Sequence, residues 1–173
     1  MALFFEKIFK KGLQLRRKYG KVVKSGTKWS GKMLIGEYHH NIDVKGRVII
    51  PAKFRESLGD SFVVSKGSNN CINIYSANEW EMFRAELLAL RTPDASKLRR
   101  FFFSSAAPVD LDAQGRILIP PAFREYAELT KDLAIVGVSN HAEIWDKQRW
   151  DEYMSDPIFT SEEITRAIEN LGF

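Results

Sequence analysis

Short β-prone runs and short stretches of helical spacing alternate along this chain, and together they predict a protein that mixes strands with helices. The β-prone runs are rich in β-branched and aromatic residues and are separated by turn residues, which is typical of strands. They cover residues 38–42, 47–50, 62–65, 71–75, 116–119, 133–138 and 142–145. Helical spacing is found in residues 52–58, 80–90 and 120–126, and in the stretches that begin near Thr92 and Ser161.

A turn-rich tetrapeptide, Asp43-Val44-Lys45-Gly46, separates the first two predicted strands. An aspartate side chain accepts local backbone hydrogen bonds and glycine supplies a positive φ, so the chain is predicted to reverse here. Pro51 follows the second strand, and proline suits the first turn of a helix. The pattern therefore predicts a strand, a tight turn, a second strand and a short helix.

The same series occurs twice. Residues 43–55 read DVKGRVIIPAKFR and residues 112–124 read DAQGRILIPPAFR, at a constant offset of 69. The agreement continues after a shift of one residue, where Ile74 and Tyr75 match Ile144 and Trp145. A match of this length and spacing indicates a tandem duplication of units of about 45 residues.

Two helices are predicted between the units. Ser76-Ala77-Asn78-Glu79 has the capping-box pattern that starts a helix, and Thr92-Pro93 starts the next one. Phe101-Phe102-Phe103 lies in the second helix, where its spacing indicates core or a subunit interface rather than a ligand site.

Composition is ordinary for a soluble globular protein, with 45% hydrophobic and 28% charged residues. No stretch approaches the roughly 20 apolar residues of a membrane-spanning helix, so no spanning segment is expected and a membrane is not the expected partner. Cys71 is the single cysteine, which excludes an intrachain disulfide and favours a reducing, cytoplasmic compartment. Its place in a predicted strand suggests packing.

Charge is unevenly distributed. Residues 1–32 hold ten Lys or Arg against one acid, whereas the remaining 141 residues hold 16 basic and 21 acidic groups, a net charge of −5. A nucleic-acid surface outside residues 1–32 must therefore depend on a few clustered cations, because the average field opposes it.

The sequence motifs give little support to catalysis or to metal binding. Asp43 and Asp112 occupy equivalent places and could form a carboxylate pair, but aspartic proteases use D-[ST]-G and this chain has D-x-x-G-R. An adjacent arginine would also lower the pKa of such an acid. Since His39 and His40 are neighbours in a strand, they point to opposite faces and cannot share one metal. We therefore expect no enzyme activity, no cofactor, no metal and no small-molecule substrate.

The paired D-x-x-G-R-x-x-x-P motifs, with Gly36-Glu37-Tyr38-His39-His40 before the first, resemble the MraZ family. Phe101–Ser105 and Val138-Ser139-Asn140 before Glu143-Ile144-Trp145 do so too, and the resemblance covers roughly residues 33–155. It implies an α+β fold in which tandem swapped-hairpin, AbrB-like β repeats form a pseudo-twofold, barrel-like core with flanking helices. The implied parts are an extension (1–32), repeat 1 (37–79), a helical connector (80–107), repeat 2 (108–151) and a C-terminal helical tail (152–173).

The resemblance also implies a function. MraZ proteins look like sequence-specific DNA-binding transcription regulators, and for this chain repression is expected. The implied partners are double-stranded DNA, as short direct repeats in the promoter of the division and cell-wall gene cluster, and further copies of the chain in a ring-shaped homo-oligomer. The implied location is the cytoplasm, in association with the nucleoid.

Site residues are carried over from the family motif. The resemblance makes Lys45, Arg47 and Arg116 DNA-binding residues, and Gln114 in place of the second lysine makes the share of repeat 2 less certain. The residues that shape the two loops are Asp43, Gly46, Asp112 and Gly115. Sequence alone leaves two roles open for each arginine, contact with guanine or phosphate and pairing with the nearby aspartate. For Arg55 and Arg124 a structural role is favoured, near acids such as Glu56 and Glu125.

Residues 1–32 lie outside the resemblance, and three interpretations stay open. They are upstream translation or an expression segment, a flexible basic arm with non-specific DNA affinity, or a basic amphipathic helix on an acidic membrane. With such an arm, an alternative function is that of an oligomeric scaffold attached to a surface.

Overall fold

The computed structural model describes residues 33–171, so the prediction for residues 1–32 lies outside the described part of the chain. Within residues 33–171 there are eight strands and six α-helices, together with two short 3-10 turns at Ser68–Asn70 and Pro157–Phe159. The strands are β1 (Leu34–Asn41), β2 (Arg47–Ile49), β3 (Ser61–Lys66), β4 (Ile72–Ser76), β5 (Ala107–Asp110), β6 (Arg116–Leu118), β7 (Asp132–Ser139) and β8 (Ala142–Asp146). The helices are α1 (Ala52–Leu58), α2 (Ala77–Ala89), α3 (Ala95–Ser105), α4 (Pro121–Tyr126), α5 (Lys147–Met154) and α6 (Ser161–Asn170).

The strands form two antiparallel sheets. Six of them lie in the order β1-β7-β8-β4-β3-β5, and β2 and β6 form a separate two-stranded ribbon. The larger sheet is open, since β1 and β5 are its edges. The α+β class predicted from the sequence is confirmed, but the barrel-like closure is not.

The two repeats exchange their first strands. β1 of repeat 1 pairs with β7 of repeat 2, and β5 of repeat 2 pairs with β3 of repeat 1. The halves also meet at β4 and β8, where Asn73 is opposite Glu143, and in the ribbon, where Val48 is opposite Ile117. Equivalent strands thus occupy mirrored places in the order, so an approximate twofold relates the two repeats.

The main core lies where the ribbon and the short helices pack against the larger sheet. Matching residues of the two repeats line it, among them Val48 and Ile117, Ile50 and Ile119, and Phe54 and Phe123. Full burial of such a side chain contributes about 1.5–3 kcal/mol, so the repeated apolar positions hold the ribbon in place. A smaller cluster of Cys71, Ala134, Val136, Trp145 and Trp150 forms separately.

Several local predictions are confirmed and one is wrong in detail. The Ser76 hydroxyl accepts a hydrogen bond from Glu79 N at 3.3 Å and caps α2, as the capping box predicts. Cys71 is fully buried, consistent with the packing role. The second connecting helix begins at Ala95 rather than at Thr92-Pro93, because Thr92 O accepts from Ala95 N in a turn that precedes it. No helix in the described range is both long enough and apolar enough to cross a membrane.

Candidate nucleic-acid interface

The first candidate loop is a tight turn organised by Asp43. One carboxylate oxygen, Oδ1, accepts hydrogen bonds from Lys45 N and Arg47 N, each at 2.9 Å. The backbone closes the same turn, with Gly46 N donating to Asp43 O and Asp43 N donating to Arg47 O, both at 2.8 Å. Gly46 has φ +80°, a left-handed conformation that glycine adopts without a Cβ penalty. The DVKG sequence therefore determines the shape of this loop locally.

The other carboxylate oxygen of Asp43 holds the side chain of Arg47. Oδ2 accepts from Arg47 Nε at 2.8 Å and lies 2.7 Å from Nη2. These hydrogen bonds from Arg47 lower the pKa of Asp43 to about 2, so the carboxylate is ionised at neutral pH. A guanidinium group has five N–H donors, and the two donors used here leave the outer donors available. Pairing with aspartate and contact with a ligand are therefore compatible roles for this arginine.

The second loop repeats this geometry. Asp112 Oδ1 accepts from Gln114 N and Arg116 N at 2.9 Å, and Oδ2 accepts from Arg116 Nε at 2.8 Å. Hydrogen bonds from the Arg116 side chain and backbone lower the pKa of Asp112 as well. Gly115 has φ +73°. The two loops differ at their tips, where Val44-Lys45 in the first corresponds to Ala113-Gln114 in the second.

Each loop is covered by an arginine from the other repeat. A Cβ added to Gly46 would lie 2.9 Å from Cζ of Arg124, and one added to Gly115 would overlap Nη1 of Arg55. The Nε atoms of Arg55 and Arg124 are buried without a hydrogen-bond partner among residues 33–171. The sequence suggested neighbouring acids for these arginines and gave no sign of the crossed contacts with the glycine turns.

The two-stranded ribbon connects the loops. In its register Arg47 is opposite Leu118 and Arg116 is opposite Ile49. The two loops at residues 43–47 and 112–116, called the Asp–Arg loops below, therefore lie at opposite ends of one short ribbon. Sequence reasoning named the arginines separately, and the structure places both on the same ribbon. Among the described residues, no group of three or more His, Cys, Asp and Glu side chains is arranged to hold a metal ion.

Comparison with known proteins gives consistent results over residues 33–170. The model of the MraZ protein family, whose description calls it antitoxin-like, matches residues 33–101 and again residues 102–170. The transcriptional regulator MraZ of Acetivibrio thermocellus is 49% identical over 142 residues, which are 81% of this chain and 99% of that protein. The transcriptional regulator MraZ of Thermoanaerobacter sp. (strain X514) is 48% identical over 142 residues, with the same coverage of both chains.

Proposed function

This chain belongs to the MraZ family, whose curated relatives are transcriptional regulators rather than enzymes, and we propose that it regulates transcription by binding double-stranded DNA through its two Asp–Arg loops. The observation that carries the proposal is that the Arg47 side chain is both held in place and partly exposed. Asp43 fixes the side chain with two hydrogen bonds, yet the side chain is about 31% exposed and keeps donors that no other residue of 33–171 uses. An arginine fixed in this way can donate to guanine or phosphate with little loss of conformational freedom on binding.

Each loop residue then has a role. Arg47 and Arg116 contact the DNA, and Lys45 adds a phosphate contact at the tip of the first loop. Asp43, Gly46, Asp112 and Gly115 shape the loops through the hydrogen bonds and positive φ values described above. A carboxylate that faced phosphate would be repulsive, but both aspartates are directed to their own loops and arginines.

The finer part of the proposal concerns assembly and target. We propose that the exchanged first strands make an AbrB-like swapped-hairpin unit, and that several chains form a ring. A ring presents many loop pairs, so weak contacts at short direct repeats combine into strong binding. The proposed target is the promoter of the division and cell-wall gene cluster, where the bound ring obstructs polymerase and represses transcription. The chain would then act in the cytoplasm, on the nucleoid.

DNA binding by the full chain tests the proposal. The probe is DNA from upstream of the protein's own gene, and scrambled DNA of equal composition is the comparison. We expect preferential binding, with log affinity falling linearly as log salt concentration rises. Arg47→Ala should remove the preference and lower affinity by about 5- to 150-fold, since a bidentate arginine contact contributes about 1–3 kcal/mol.

Arg84→Ala is the matched control. Arg84 is an exposed arginine of α2 that pairs with Glu81 at 3.1 Å, so its loss changes the net charge by the same amount and also breaks an ion pair. It should bind DNA as the unaltered chain does. If Arg47→Ala and Arg84→Ala bound equally well, the loops would not be the contact surface, and the scaffold function would become the better explanation.

A further inference from the structure

The outer face of the β2–β6 ribbon combines arginines with exposed aliphatic side chains. Alternate residues of the ribbon point inward, where Val48 is 0% and Ile117 is 1% exposed. The outward residues are Arg47 and Ile49 on β2 and Arg116 and Leu118 on β6. Of these, Ile49 is 44% and Leu118 is 55% exposed. The ribbon therefore has one apolar face in the core and a second face that is half cationic and half aliphatic.

Packing among residues 33–171 explains the inner face but not the outer one. An isolated exposed leucine is common on protein surfaces, but here two aliphatic residues occupy equivalent positions of the two repeats. Each is directly opposite an arginine, in the pairs Arg47–Leu118 and Arg116–Ile49. Directly opposite residues in an antiparallel pair have Cβ atoms about 4.5–5.5 Å apart. The four side chains consequently form one continuous patch between the two loops.

We infer that this face enters the major groove of DNA, where Ile49 and Leu118 contact the 5-methyl groups of thymines while the arginines contact guanine or phosphate. The inference rests on the proposed function and adds to it a source of base specificity. The major groove is about 12 Å wide and admits a two-stranded ribbon, and the thymine methyl group is its apolar landmark. Residues two apart on a strand are separated by about 6.8 Å, close to the rise of two base pairs.

Charge favours DNA over a second copy of the chain as the occupant of this face. If two copies met through it, Lys45 and the two arginines of one would lie close to those of the other, and the paired carboxylates of Asp43 and Asp112 would offset only part of the repulsion. The negatively charged groove of DNA accepts both the cations and the aliphatic groups between them. Lys45 at the end of the ribbon adds to the positive charge of the same surface.

The test removes only the methyl groups. The upstream DNA is prepared in two forms, one with thymidine and one with deoxyuridine throughout, and each is titrated with the full chain. Burial of one methyl-sized group corresponds to about a fourfold change in affinity. We expect the unaltered chain to bind the deoxyuridine form about four- to sixteenfold more weakly. The double variant Ile49→Ser/Leu118→Ser should bind thymidine DNA more weakly by a similar factor and should not distinguish the two forms.

Met82→Ser is the control variant, because Met82 is 59% exposed on α2 and lies outside the ribbon. It should keep the full difference between the two DNAs. Equal affinity of the unaltered chain for both forms, or an undiminished difference in the double variant, would overturn the inference. A loss of oligomer mass in the double variant, with equal weakening on both DNAs, would do the same by showing that another copy covers the face.

The arginine variants separate this failure from failure of the proposed function. If binding depended on Arg47 but ignored the methyl groups, only the role of Ile49 and Leu118 would be wrong. If upstream DNA were not bound in preference to scrambled DNA, the proposed function and this inference would fail together.

Discussion

The contact between Arg55 and Gly115 makes the crossed packing of the two repeats testable by mutation. In Gly115→Ala the new methyl group would overlap Nη1 of Arg55, which comes from the other repeat. The same substitution also places an L-residue at φ +73°. Two separate costs are therefore expected, and only one of them depends on Arg55.

The magnitudes follow from the geometry. An L-residue in the left-handed region costs roughly 1–2 kcal/mol. Overlap in a packed site costs typically about 1–3 kcal/mol, and here the lower half applies because the end of an arginine side chain can move in part. Gly115→Ala should lower the free energy of unfolding by about 2–4 kcal/mol in total. In an Arg55→Ala background the overlap is gone, and the same substitution should cost only about 1–2 kcal/mol.

Urea unfolding of the four chains measures this coupling. The unaltered chain, both single variants and the double variant are compared at one protein concentration, because assembly shifts apparent stability. We expect a coupling free energy of about 1–2 kcal/mol between the two sites. If the two effects were additive within about 0.5 kcal/mol, Arg55 would not cover the Gly115 turn, and the crossed arrangement of the repeats would be wrong.

Two other predictions concern the first strand and the first loop. Gly137→Ala would place its Cβ 2.6 Å from Ile35 N and against the backbone of Leu34, a clash that no rotamer change relieves. We therefore expect β1 to separate from β7 and the free energy of unfolding to fall by more than about 2 kcal/mol. Retention of full thermal stability would contradict this. The pKa of Asp43 falls from its ordinary 3.8 to about 2 on folding, so the stability from its ionised form is present above pH 3.8 and is lost as the pH falls towards 2. Asp43→Asn should therefore show a smaller fall in Tm over that range, and an unchanged fall would exclude this linkage.

The local elements were predictable because short-range chemistry determines them. Asp43 and Gly46 shape their loop through hydrogen bonds within five residues, and Ser76 caps α2 by accepting from the backbone N–H of Glu79, three residues further on. The α+β class and the positions of most strands and helices followed from the same kind of pattern. The helix expected at Thr92 begins later, because the Thr92-Pro93 pattern fits the turn that precedes the helix as well as it fits a helix start.

The exchange between repeats was not predictable from local chemistry. In a duplicated chain the two copies present nearly the same apolar pattern, so β1 could pair within its own repeat or with β7 of the other. The same ambiguity hid the contact of Arg55 with a glycine turn 60 residues away. Long-range packing decides both contacts.

The near-symmetry of the ribbon, combined with its different loop tips, bears on the kind of DNA site expected. A unit with two identical loops related by a twofold would favour a palindromic site, because each loop would meet the same bases on opposite strands. Here the loops share their geometry, but Lys45 offers a cation where Gln114 offers an amide that can read adenine. The two ends of the ribbon also differ in their aliphatic side chains, because Leu118 lies opposite Arg47 and Ile49 lies opposite Arg116. A unit with these unequal ends would have a preferred direction on DNA, and in the proposed ring, copies arranged head to tail would all point the same way. This supports short direct repeats, rather than inverted ones, as the proposed target.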